Sequence, residues 1–200
     1  AVYGLSACCL EGGGEISAAN PAWDKTVGFR TVDDVAVAQD LIVKSGDNFN
    51  DPEVPRAFFS LVLLALSAAW SPDPERPPFY ADLLVEGSGD ARKVSEVQQA
   101  RWSANMPVAM LDQYRSNLAR LGAIAFDVGS LDENRHIRAG ARDFDAGLTH
   151  NGIPHEFEQY EGTHMSRIGE RLETRAFPFF SRALAPGKPD SQPRATKGKQ

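Results

Sequence analysis

Between Ile124 and His164 the chain has a pattern that few folds accommodate. Ile124-Ala125-Phe126-Asp127-Val128-Gly129 is a short apolar run with an acid inside it, and Ser130-Leu131-Asp132 follows. From about Glu133 to His150 the spacing changes: Ile137, Ala141, Phe144 and Leu148 fall on one helical stripe that stops at Asn151-Gly152. His155 to Tyr160 reads as a second strand, and Gly162-Thr163-His164 as the loop after it. Strand, helix and strand in succession form the crossover unit of a parallel sheet. Such a unit holds an acid and a histidine just past the ends of two successive strands.

The chain has 200 residues and is 42% hydrophobic, enough to bury the core of one domain with some extra elements. From about Pro186 to Gln200 almost nothing is apolar, and residues 186–200 are expected to form a disordered tail. A net charge of −6 and a pI near 5.2 argue against nucleic acid or an anionic membrane as partner, since there is no basic excess to displace counterions. Cys8 and Cys9 are neighbours, a spacing that rarely gives a disulfide and cannot build a zinc site alone; the expectation is two small buried thiols. The longest apolar run, Ala57 to Trp70, is read as too short to span a bilayer, and no signal peptide opens the sequence. The compartment stays open between cytoplasmic and secreted.

Elsewhere helices dominate. Ala1 to Ser6 reads as a short buried strand, and Asn20-Pro21 begins a turn or short helix containing Trp23. Thr31, with Asp33 and Asp34 in the first turn, caps a helix running to about Lys44. Asp51-Pro52-Glu53 starts another that is apolar nearly all round through Ala68, as suits a helix buried on more than one side. Pro77-Pro78-Phe79-Tyr80 should be extended. Val94 to Ser103 is a short helix with Trp102, and Asn105 caps a longer one carrying Val108, Leu111, Tyr114, Leu118 and Leu121. After His164 a last helix carries Ile168, Leu172, Ala176, Phe179, Phe180 and Leu184, with Pro178 expected to divide it. Gly12-Gly13-Gly14 lacks the Lys-Ser/Thr of a phosphate-binding loop and reads as a flexible turn.

An acid and a histidine in this order invite a search for a serine. Gly4-Leu5-Ser6-Ala7-Cys8 approaches the strand-turn-helix elbow G-x-S-x-G, but Cys8 replaces the glycine that lets helix and strand approach. Glu11-Gly12-Gly13-Gly14-Glu15 is also a poor start for the supporting helix. Ser6 is therefore read as a strand-end serine. His136, His150 and His155 have no obvious acid partner and are read as structural.

The segments Leu5-Ser6-Ala7-Cys8-Cys9-Leu10, Asn20-Pro21-Ala22-Trp23, Ala69-Trp70-Ser71-Pro72-Asp73-Pro74, Pro77-Pro78-Phe79-Tyr80, Asp127-Val128-Gly129-Ser130-Leu131-Asp132, Gly152-Ile153-Pro154-His155 and Tyr160-Glu161-Gly162-Thr163-His164 together resemble the esterase branch of the α/β-hydrolases. That branch is related to esterase D, S-formylglutathione hydrolase and feruloyl esterases. The resemblance runs to about Leu184 and covers only the family's C-terminal half. It implies an α/β fold, with the C-terminal strands of a mostly parallel sheet and a large helical cap over about residues 20–120. It also implies that the elbow serine and the oxyanion loop lie upstream. Asp132 would then orient and charge-stabilise His164, and His164 would serve as general base and then general acid. Asp127 is the rival acid.

The resemblance implies a serine-dependent hydrolase of a small carboxylic ester, without metal or organic cofactor, nearly inactive as this chain alone. Trp70, Phe79, Tyr80 and Trp102 would shape its acyl or alcohol pocket. Half a sheet leaves an apolar edge, so a partner is expected: a second copy of the chain or the missing N-terminal half. The alternatives are a non-catalytic binding or scaffold protein of this architecture, and a self-contained esterase using Ser6.

Overall fold

The computed structural model describes residues 1–46 and 48–185; the expected disordered tail lies outside them. In chain order come β1 (Val2–Leu5), α1 (Trp23–Gly28), α2 (Val32–Ser45), α3 (Glu53–Trp70), the short strands β2 (Val85–Glu86) and β3 (Lys93–Val94), α4 (Glu96–Ala104) and α5 (Pro107–Leu118). Then follow β4 (Ile124–Gly129), α6 (Arg135–His150), β5 (Glu156–Tyr160), α7 (Ile168–Arg171) and α8 (Phe177–Ala183).

The sheet that matters has the order β1-β4-β5, and both pairings are parallel. Leu5 lies level with Asp127 and Asp127 with Glu158, so all three strands end at one side. β4 is central and buried along its whole length, which is why it reads as a continuous apolar run. α6 returns across the sheet with Ile137, Ala141 and Leu148 packed on Ile124, Phe126 and Val128. The architecture is thus mixed α/β, with a sheet of three parallel strands.

Between β1 and β4 the regular elements are helical apart from the β2–β3 hairpin, and this block has its own core. Ile16, Trp23, Leu63, Trp70, Leu84 and Trp102 cluster apart from the sheet, with Trp102 5.9 Å from Trp23 and 5.0 Å from Trp70 between ring centroids. Trp70 and Trp102 are thus core residues, whereas Tyr80 is exposed and Phe79 leans on Phe29. α3 starts four residues before the apolar run Ala57–Trp70, and its 18 residues are long and apolar enough by composition to cross a membrane, a correction to the reading from that run alone. Here Val54, Ala57, Ser60, Leu63 and Ser67 of α3 are buried against other elements.

Several local expectations shift. Thr31 and Asp34 form a reciprocal capping box on α2 as the sequence suggests. Asn105 ends α4 rather than starting α5, whose first residue is Pro107, a position where the missing N–H costs nothing. Pro77 to Tyr80 turn rather than extend. Pro178 does not divide the last helix. The preceding turn, Leu172–Ala176, widens to a π-helical turn that joins α7 to α8, because a proline supplies no N–H to the carbonyl one α-turn back.

The clearest correction concerns Cys8 and Cys9. They are bonded to each other, and Cys8 is exposed rather than buried. Sequence spacing disfavours this bond in ordinary backbone, but Ser6 and Cys9 both take left-handed conformations, with φ of 41° and 67°, on either side of Cys8.

Candidate active site

The loop after β4 is tied to the loop after β5 before any side chain takes part. Ser130 N–H donates to the Tyr160 carbonyl at 2.7 Å and Leu131 N–H to the Gly162 carbonyl at 2.9 Å. Gly129 makes this approach possible: a Cβ there would fall on the Gly162 carbonyl and 2.9 Å from that of Thr163.

On this frame Asp132 meets His164. Asp132 Oδ2 lies 2.9 Å from His164 Nδ1, and Oδ1 accepts the Asn134 N–H at 2.9 Å. The acid is 1% exposed, while the histidine side chain is 30% exposed. A carboxylate can only accept, so Nδ1 carries a proton, and it is Nε2 that holds the lone pair whenever the ring is neutral. Nε2 makes no hydrogen bond among the described residues. Glu133 Oε2 accepts the His164 N–H at 3.2 Å, which steadies the loop backbone. Asp132 also does the local task of a turn-forming acid, since α6 starts only at Arg135 with Asn134 as its cap residue.

Asp127 is elsewhere. It points to the opposite task, holding a buried ion network under the sheet: Tyr3 Oη donates to Oδ2 at 2.8 Å, and Arg171 donates to the same oxygen from Nε at 2.9 Å and Nη2 at 2.7 Å. Arg171 also grips Glu158 with two bonds of 3.0 and 2.9 Å. Burial first, and then the Asp127 carboxylate, pushes the Tyr3 phenol up. Burial works against the charge on Arg171, and the hydrogen bonds it donates to Glu158 and Asp127 outweigh that and raise its pKa.

Ser6 stands at the end of β1 in the sharp left-handed turn an elbow would need, yet no helix follows until Trp23 apart from a single turn at Gly14–Ile16. Its Oγ is buried and has no hydrogen-bond partner among the described residues, His164 included.

Two histidines read as lacking an acid partner do have one. His155 Nε2 lies 2.8 Å from Asp145 Oδ1, and His136 Nδ1 lies 2.8 Å from Glu15 Oε2. Burial disfavours the Glu15 charge, but the hydrogen bonds from His136 and from backbone N–H groups of Glu15, His136 and Arg135 prevail and hold it down to about 2. Sequence offered a trace of the Asp145 pairing, because α6 and β5 are consecutive, and none of the Glu15 pairing, which spans 121 residues.

Two clefts border the helical block. One, of about 690 Å³, is lined by Glu15, Asn20, Pro55, Arg56, Phe59 and Arg135; the other, of about 480 Å³, by Gly12, Ile16, Leu84, Trp102 and Met106 among others. Neither includes Asp132 or His164, although Arg135 opens the helix that follows Asp132. Among the described residues no group of three or more His, Cys, Asp or Glu side chains is placed to hold a metal ion. Compared with protein-family models and with curated proteins, the chain matches none.

Proposed function

We propose that Asp132 and His164 are the acid and base of a serine-dependent carboxylic ester hydrolase of the esterase branch of the α/β-hydrolases. The observation that carries this reading is the pair itself: a fully buried carboxylate aligned on Nδ1 of a partly exposed histidine, both just past the ends of adjacent parallel strands. Such a carboxylate fixes the tautomer and stabilises the imidazolium that forms when Nε2 takes a proton. His164 Nε2 would take the serine hydroxyl proton as the oxygen attacks the ester carbonyl, then return it to the departing alcohol. It would next activate water against the acyl-serine. No serine hydroxyl is hydrogen-bonded to His164 among the described residues, and on this reading the nucleophile and the oxyanion donors would be supplied by another segment of polypeptide. A self-contained reading through Ser6 draws on its left-handed turn after β1.

A serine-directed fluorophosphonate separates the two. The 200-residue chain and the polypeptide encoded with the DNA upstream of Ala1 are each labelled, and the adduct is located by peptide mass spectrometry. The expected result is no adduct on the shorter chain and one on a serine before Ala1 in the longer. That adduct should form about 10³ to 10⁴-fold more slowly in His164→Ala and Asp132→Asn. An adduct on Ser6, or labelling indifferent to His164, would sink the reading.

A further inference from the structure

The loop after β1 carries a second arrangement of reactive groups, separate from the Asp132–His164 pair and independent of its reading. Cys8 Sγ lies 3.9 Å from Nε2 of His136, and Nδ1 of the same ring is held by Glu15. His136 is almost wholly buried, at 4% of its side chain, and Cys9 packs against the helical core, while Cys8 is exposed. Cys8 is therefore the cysteine that has both solvent access and an oriented imidazole beside its sulfur, and Cys9 is the one held against the core. We infer that Cys8 and Cys9 form a thiol–disulfide exchange site that reduces low-molecular-weight disulfides, with Cys8 as nucleophile, Cys9 as resolving thiol and His136 as the base held by Glu15.

The Glu15 carboxylate accepts the Nδ1 proton, so the lone pair of Nε2 faces Cys8. In the dithiol form that lone pair takes the Cys8 proton, giving a thiolate beside an imidazolium, the arrangement that makes a cysteine reactive near neutral pH. The thiolate attacks one sulfur of the substrate disulfide R–S–S–R, forming a Cys8–S–S–R bond and releasing RS⁻, which takes the proton from His136. Cys9, deprotonated by solvent, then attacks Cys8 Sγ, and the second RS⁻ leaves and is protonated by water. The sum is one protein dithiol and one disulfide going to the Cys8–Cys9 bond and two RSH, with two electrons passed to the substrate. The bonded pair is the oxidised end of this cycle, and an external dithiol runs it backwards.

The charged groups around the ring come from two elements. Glu15, on the short turn, also meets Arg135 at 3.6 Å, and along α6 the backbone of Glu11 packs against Gly140 beside Asp143. A hydrogen bond shared with Asp143, together with burial, holds Glu11 up to about 7, so Glu11 titrates in the range where the thiolate forms and needs its own control.

The test uses the 200-residue chain, reduced with dithiothreitol, desalted and alkylated with iodoacetamide from pH 5 to 10, with each cysteine read by peptide mass spectrometry. Cys8 is expected to react at least 10-fold faster than Cys9 at pH 7, with a midpoint below the ordinary thiol value of about 8.5. His136→Gln and Glu15→Gln should each move that midpoint up, and Glu11→Gln should leave Cys8 the faster thiol. With oxidised glutathione, the reduced chain should recover the Cys8–Cys9 bond, and Cys9→Ser should trap glutathione on Cys8. Circular dichroism confirms that each variant is folded, and Cys9→Ser keeps the test open if a His136 variant is not. Equal reactivity of the two cysteines, a Cys8 midpoint indifferent to both His136 and Glu15, or glutathione trapped nowhere in Cys9→Ser would overturn the inference.

Discussion

Arg171 is 2% exposed and bound to two carboxylates, Asp127 on β4 and Glu158 on β5. Removing one side of a buried ion pair strands the other, so Arg171→Ala should cost about 3–5 kcal/mol in urea unfolding, whereas Arg171→Met should cost less if Asp127→Asn accompanies it. An Arg171→Ala chain as stable as the parent would mean that the network contributes little. This network also explains why Asp127 was hard to separate from Asp132 in the sequence. An acid inside a strand buried on both faces needs a partner, but nothing local shows that the partner is an arginine 44 residues further on. Asp132 and His164 were legible because both follow strands in one crossover unit; Glu15 was not, since its link to His136 joins distant segments. Two acids also set a stability window. Glu15, held at about 2 in the fold against an ordinary 4.5, contributes stability above 4.5 that is lost as pH falls towards 2. Glu11, held at about 7, binds its proton more tightly when folded, so its contribution is lost as pH rises from 4.5 through 7. Urea midpoints should therefore fall between pH 5 and 8, and Glu11→Gln should flatten that side alone; an unchanged slope in this variant would exclude Glu11 as the cause.

Among the elements, the joint between β4 and the loop after β5 is the most exacting. Gly129→Ala would press a methyl on the Gly162 carbonyl, so the loop carrying His164 must shift. The expected cost is about 1–3 kcal/mol of stability, together with loss of the downfield proton resonance of the His164–Asp132 hydrogen bond. A retained resonance at wild-type shift would show that the loop does not depend on this contact. Helix boundaries were legible where a cap is chemical, as at Thr31, and less so where a proline acts. Pro178 looks like a break in the sequence, yet a helix can absorb the missing donor by widening one turn, a choice made by packing around Phe179 and Ala176 rather than by local propensity.

At the scale of the molecule the described residues form three hydrophobic clusters: one of tryptophans among helices, one between the sheet and α6, and a smaller one around Phe29, Ala38 and Ala57. Leu63 is wholly buried in the first, so Leu63→Ala should destabilise the helical block by about 2–5 kcal/mol. Hydrogen exchange should then quicken in α3 and α4 more than in β4; equal quickening would mean that the cores unfold as one. Of the aromatic residues expected to line a pocket, Trp70 and Trp102 joined this first core, where Trp102 also borders a cleft, and Phe79 joined another cluster, because hydropathy marks a residue for burial without saying which cluster it joins. The sheet has two edges. β1 and β5 flank β4, and among the described residues the outer edge of β1, like that of β5, carries no strand. Strands in this sheet run in one direction and end on one side, β1 opposite Asp127 and β4 and β5 two residues further on, so an edge is a ruler as well as a seam. Any parallel strand laid along it would deliver the residue after its last position to the same rim that carries Asp132 and His164, whatever the rest of that strand's sequence.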